Sequence, residues 1–281
     1  MTSPFTHDLT GKVAVVTGAG GVLCSFFAKE LARAGAKVAL LDLNVEAAQK
    51  YADEIVAAGG EAKGYKANVL ELESLQEAHD AVVADFGVAD ILVNGAGGNS
   101  PKASTENEFH EMEGMEGVKS FFELDKSGIE FVFNLNYLGT LLPTQVFAKD
   151  MLGKEGANII NVSSMNAYTP LTKIPAYSGA KAAISNFTEW LAVYFSHVGI
   201  RVNAIAPGFL VSKQNQALLF NEDGTPTART HKILSSTPMN RFGEPEELIG
   251  GLLFLADEKA SSFVNGVVLP IDGGFHAYSG V

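Results

Sequence analysis

The chain has 281 residues, 47% of them hydrophobic, and its 20 Lys and Arg against 32 Asp and Glu give a formal charge of −12, which excludes the clustered basic surface that nucleic acid requires. A single cysteine excludes an internal disulfide framework and a thiolate zinc site, and six histidines without clustered Asp or Glu give no metal spacing, so no metal is expected. The first residues lack a basic segment followed by an apolar run, and no stretch reaches the roughly 18 apolar residues of a membrane span, so the expectation is a cytoplasmic protein with no membrane partner.

In chain order, short apolar runs rich in β-branched residues occupy 13–16, 38–41, 91–93, 159–162, 202–205 and 267–269, separated by longer segments of helical period such as 25–34 and 176–197. Continuous rather than alternating runs suit strands covered on both faces. Strand then helix, repeated, predicts an α/β fold: a Rossmann-type doubly wound parallel sheet flanked by helices. No linker, repeat or low-complexity tract divides the chain, so residues 1–281 are expected to form a single domain. Residues 98–130 stand apart, with eight acids against three bases, several glycines and no clear strand. This insert follows a strand end, where parallel α/β folds bind ligands.

After the first run comes TGAGGVLC, Thr17 to Cys24, leading directly into a helix. Such a turn lets backbone N–H groups approach a pyrophosphate at the positive end of a helix, although a tight turn alone would look the same. Asp42 ends the second run, 18 residues after Cys24. An acid there can accept hydrogen bonds from both ribose hydroxyls and repel a 2′-phosphate; its alternative reading is a helix cap. No Arg or Lys stands at 43–45 to receive a phosphate, which favours NAD(H) over NADP(H).

Tyr177 and Lys181 are spaced i, i+4 and share one helix face. A nearby ammonium is expected to lower the phenol's pKa and make Tyr177 a usable proton donor and acceptor; the alternative is a surface Tyr beside a solvated Lys. Thirteen residues earlier, Ser164 ends a buried run, where its hydroxyl could hold a substrate oxygen or simply close a turn.

Together these features resemble the short-chain dehydrogenase/reductase family, in its branch of about 250-residue chains. The resemblance spans almost the whole sequence: Thr17-Gly18, Asn94 to Gly97, Asn136 to Gly139, Ser164, Tyr177 with Lys181, Pro207-Gly208 and the closing IDGG at 271–274. It implies Tyr177 as general acid/base, Ser164 as the group that polarises the carbonyl, Lys181 as ribose ligand and pKa modifier, and Asn136 as holder of a water in a proton relay. It further implies cofactor contacts from Gly18, Gly20, Val22, Leu23, Asp42, Leu43, Asn68, Val69, Asn94, Ala96, Gly97, Pro207, Gly208, Leu210 and Ser212, and a homotetramer or dimer. Val22 and Cys24 occupy positions where the family usually has glycine, and Gly95 one where it usually has asparagine.

The wording of the insert is similar to a subgroup labelled D-mannonate oxidoreductase or fructuronate reductase. That resemblance implies a sugar acid as the small-molecule substrate, against another polyol, a ketogluconate or a 3-oxoacyl thioester; a catalytically silent dinucleotide sensor is the reading from a different class. Asn99, Lys102, Asn166, Lys173 and Lys213 are candidates for holding a carboxylate or hydroxyls, with Asn99 and Lys102 favoured because they follow the strand-end Gly97-Gly98.

Overall fold

The computed structural model of the chain describes residues 7–211 and 216–280. Seven strands, β1 (Val13–Thr17), β2 (Lys37–Asp42), β3 (Glu61–Lys66), β4 (Ile91–Asn94), β5 (Asn158–Val162), β6 (Arg201–Pro207) and β7 (Val268–Ile271), form one sheet in the order β3-β2-β1-β4-β5-β6-β7. Every neighbouring pair is parallel. The helices are α1 (Val22–Arg33), α2 (Val45–Ala57), α3 (Leu72–Phe86), α4 (Lys126–Phe133), α5 (Gly139–Met151), α6 (Pro175–Tyr194), α7 (Gln216–Leu219), α8 (Ala228–Ser235), α9 (Ile249–Ala256) and α10 (Glu258–Ser261). Among the described residues no helix is long and apolar enough to cross a membrane.

Each residue of β1, β4, β5 and β6 is buried, because helices cover both faces of the sheet. Alternate residues of one strand therefore enter different cores. Ala14 and Val16 pack with α1, α2 and α9 through Phe27, Leu31, Ala52 and Leu252. Val13 and Val15 pack with α3, α5 and α6 through Leu75, Phe147, Met151 and Leu191. This double coverage is the reason that β1, β2, β4, β5 and β6 read as unbroken apolar runs; β7, at the other edge, is apolar but only partly buried.

β3 differs. Its sequence EAKGYK has no apolar run, because it is an edge strand paired only with β2, and Tyr65 alone of its six residues is buried. Gly64 is required there: a β-carbon would lie 2.7 Å from the Gln49 backbone nitrogen on α2. The insert is mostly irregular, with 3₁₀ turns at Pro101–Ala103 and Phe121–Glu123, and its last residues already belong to α4. Asp125 caps that helix by accepting from the Ser127 N–H at 2.7 Å.

At the amino ends of the central strands, opposite the strand ends that carry the motifs, Asp90 is buried and accepts from the Val13 N–H at 2.8 Å. Lys12 and Lys154 reach the same carboxylate at 3.4 and 3.2 Å. Both lysines are partly exposed and can rehydrate, whereas Val13 N–H cannot. Replacing Asp90 with Ala is expected to lower stability by about 1–3 kcal/mol, the range for stranding a buried donor. Urea unfolding measures this as a lower midpoint at constant slope, and an unchanged midpoint would contradict the assignment.

Candidate active site

The chain reverses its strand order between β1 and β4, and a cleft of about 710 Å³ opens at the carboxyl ends of the central strands. Asp42, Asn68 and Val69 line one end, Gly18 to Cys24 the middle, and Ser164, Tyr177, Lys181 and Pro207 to Leu210 the other.

The middle is built by close backbone approach. The Thr17 hydroxyl accepts from the N–H groups of Gly95 and Ala96 at 3.1 and 3.3 Å, tying the end of β1 to the end of β4. Gly18 has φ +68°, and a β-carbon on it would lie 2.8 Å from the Ala96 α-carbon. The Asp42 carboxylate accepts from Gly20 N–H and Asn44 N–H, each at 2.9 Å, so it fixes the glycine turn as well as facing the cleft. The helix-cap role that Asp42 could have held belongs to Asn44, whose side chain accepts from Ala47 N–H. Val22 is the first residue of α1, whose amino end opens on the cleft.

Two departures from the expected glycine pattern are one steric feature. Cys24 is buried, and a β-carbon on Gly95 would fall 2.1 Å from its sulfur. The thiol fills the volume that a side chain at 95 would need, so a sulfur at 24 accompanies a glycine at 95. Burial pushes the thiol up to about 12, with the Lys181 charge opposing, so it stays protonated and unreactive at neutral pH.

At the other end, α6 brings Tyr177 and Lys181 to one face. The Lys181 ammonium donates to the Val162 carbonyl at 2.8 Å and lies 5.6 Å from the Tyr177 ring centre. Burial lowers Lys181 to about 8. Burial also pushes the Tyr177 phenol above its usual value, while the Ser164 hydroxyl pulls it back. The expected downward shift of the phenol by Lys181 is therefore absent in the protein alone: desolvation of the phenolate outweighs an ammonium that is directed at a strand carbonyl.

Asn136 is fully buried in a π-helical turn (Asn134–Leu138) that leads into α5. Its amide nitrogen donates to the Gly98 and Val132 carbonyls at 2.7 and 2.8 Å, and its oxygen accepts from Gly98 N–H at 3.3 Å. Both amide hydrogens are thus committed to backbone, which makes Asn136 a positioning residue for the Gly97-Gly98 floor rather than a group on the cleft surface. Gly97 must be glycine, since a β-carbon would sit 2.6 Å from the Asn136 oxygen.

Of the expected cofactor contacts, Gly18, Gly20, Val22, Leu23, Asp42, Leu43, Asn68, Val69, Ala96, Gly97, Tyr177, Lys181, Pro207, Gly208 and Leu210 line the cleft. Asn94 does not: its amide is buried and donates to Thr144 and Asn161, each at 2.9 Å, because a residue pointing into a two-sided core cannot also face the strand end. Ser212 and Lys213 lie outside the described residues. Asn99 and Lys102 are exposed and off the cleft, Asn99 donating to Ser104 at 3.1 Å. Asn166 is also off it, buried with its side-chain oxygen sealed from solvent. Leu135, Phe209 and Pro245 line the cleft without having been anticipated, since single apolar residues after a strand or at a helix start carry no distinguishing pattern.

The short-chain dehydrogenase family pattern matches residues 12–222. The chain belongs to this family. An uncharacterised oxidoreductase of Haemophilus influenzae is 72% identical over 275 residues, covering 98% of this chain and 96% of the relative. An uncharacterised oxidoreductase of Bacillus subtilis, UxuB, is 54% identical over 278 residues and 99% of each chain. A solved structure from Haemophilus influenzae, provisionally named a D-mannonate oxidoreductase and holding bound NAD, is 71% identical, superposes with a TM-score of 0.96 and covers 99% of both chains. The protein is thus a short-chain dehydrogenase-type oxidoreductase with a Rossmann-type parallel sheet.

Within this family member the Cys24–Gly95 contact makes a separable prediction. Gly95→Ala alone is expected to destabilise by about 1–3 kcal/mol through overpacking, and Cys24→Ala in the same chain to recover at least half of that loss. Chemical unfolding of the two single variants and the double variant measures the coupling; strictly additive effects would contradict a shared volume.

Proposed function

We propose that the protein is an NAD(H)-dependent oxidoreductase that interconverts a secondary alcohol and a ketone of a sugar acid, with D-mannonate and D-fructuronate as the reference pair. One observation carries the reading: Ser164, Tyr177 and Lys181 open onto the same cleft that the Asp42 carboxylate closes at its far end. The glycine positions fit an extended dinucleotide there, because a side chain at 18 would collide with the Ala96 backbone and one at 20 with the Asp42 carboxylate, so only glycine keeps the turn and Asp42 in place. Asp42 suits free ribose hydroxyls and opposes a 2′-phosphate. The solved relative that holds NAD supports the same choice.

When bound, the nicotinamide supplies the hydride acceptor or donor, and its positive charge in the oxidised form favours a phenolate nearby. In alcohol oxidation Tyr177 Oη takes the hydroxyl proton, and in ketone reduction it returns one. Ser164 Oγ donates to the substrate oxygen and holds it against the phenol. Lys181, set at about 8 by burial, exchanges its proton near neutral pH and suits hydrogen bonding to the ribose. Asn136 keeps Gly97 and Gly98 in place beneath both. We further take residues 98–130 as the specificity element of a single domain, and the molecule as a cytoplasmic homotetramer or dimer.

Tyr177→Phe is expected to lower kcat about 100-fold or more while leaving NADH binding, read by its fluorescence, unchanged. Retention of more than a few per cent of activity would overturn the assignment of the acid/base.

A further inference from the structure

We infer that Ser163, the residue before Ser164, is a positioning residue that fixes where α6 carries Tyr177 and Lys181 relative to Ser164. The inference deepens the proposed function and rests on the roles given there to those three residues. Ser163 follows directly on β5 and is buried in the inner wall of the cleft. Its N–H donates to the Ile205 carbonyl of β6 at 2.8 Å, so its backbone is held by the sheet.

Its hydroxyl turns to the helix instead. Ser163 Oγ lies 3.2 Å from the Lys181 carbonyl, to which it donates, and 2.7 Å from Ser185 Oγ, one turn further along α6. Ser185 Oγ lies 3.3 Å from the same carbonyl. Lys181 sits inside α6, so its carbonyl already accepts in the helix ladder and needs no side-chain donor. The hydroxyls therefore do not rescue an unpaired group; they tie two elements at one height. Because the bond from Ser185 to Lys181 stays within the helix, every bond of this cluster that crosses from the sheet to α6 involves Ser163.

Three consecutive residues thus divide the work. The Val162 carbonyl accepts from the Lys181 ammonium at 2.8 Å, Ser163 holds the Lys181 backbone, and Ser164 turns its hydroxyl to the substrate. The ammonium bond alone would leave Lys181 pivoting on a flexible four-carbon stem. A tie at its carbonyl removes that freedom. Tyr177 stands one turn earlier on the same helix, so the tie also sets the gap between Ser164 Oγ and the phenol. A misplacement of about 1 Å between reacting groups costs up to roughly 100-fold in rate.

The test measures NAD+ reduction with D-mannonate and with D-mannitol, read on whichever wild type oxidises faster, in Ser163→Ala, Ser185→Ala, Ser185→Thr, the double Ala variant and Tyr177→Phe. Ser163→Ala is expected to lower kcat about 10-fold, with KM and NADH binding changed less than about threefold. Ser185→Ala lowers kcat about threefold in the wild type and has no further effect in Ser163→Ala, where its hydroxyl reaches only its own helix. Ser185→Thr keeps the hydroxyl and wild-type kcat; with Ser185→Ala it carries the test should Ser163→Ala fail to fold. Wild-type kcat in Ser163→Ala, an undiminished Ser185→Ala effect in the Ser163→Ala chain, or equal losses for Ser185→Thr and Ser185→Ala would overturn the inference. With Tyr177→Phe inactive, each of these results leaves the proposed function standing. An active Tyr177→Phe, or a wild type that oxidises neither compound, would overturn that function and the Ser163 assignment with it.

Discussion

A lysine ammonium 4% exposed, with no carboxylate to neutralise it among the described residues, is the constraint around which the cleft is organised. Burying a charge in this way opposes folding, and its lowered pKa of about 8 is the same cost expressed as proton affinity. What makes the position tenable is geometry. The i, i+4 spacing on α6 carries Lys181 beneath Tyr177, the Val162 carbonyl at the end of β5 accepts from it, and Gly97 leaves the space above it open. A core chosen only for stability would place an apolar residue there, so the lysine is retained for what it does to its neighbours.

The glycine turn depends on a second set of close approaches. Asp42 sits at the end of β2, yet it organises β1's turn by bonding Gly20 and faces the cleft at the same time. Structural and recognition roles coincide in one carboxylate. Thr17 does the equivalent for β4, and the Cys24 sulfur fills the space beneath Gly95, so β1, β2, β4 and α1 meet at fixed heights. A pyrophosphate requires such rigidity, because its recognition by backbone N–H groups tolerates no slack in their spacing.

Much of this was legible in the sequence, for reasons that follow from burial. Strands covered on both faces leave unbroken apolar runs, and i, i+4 spacing on a helix fixes which side chains meet. The edge strand β3 left no such trace, because only Ala62 and Tyr65 of its EAKGYK are apolar side chains and only Tyr65 is buried. The resemblance gave Asn94 a cofactor contact and Asn136 a relay water; the structure commits the amide N–H groups of Asn94 to Thr144 and Asn161 and those of Asn136 to the Gly98 and Val132 carbonyls. No residue type distinguishes an asparagine that holds a floor from one that faces a ligand. The reciprocal fit of Cys24 and Gly95 was visible as two separate departures, and only the close approach of α1 to the end of β4 reveals them as one.

The insert is tied through the Thr105 N–H to the Lys173 carbonyl before α6 and through Glu108 to Lys232 of α8. The most direct measurement is reduction of NAD+ and of NADP+ by the purified protein, presented in turn with D-mannonate, other aldonates and neutral polyols. The account predicts NADH formation with a sugar acid and at least tenfold lower kcat/KM with NADP+. Turnover confined to NADP+, or none with any sugar acid while a neutral polyol or a thioester reacts, would contradict it.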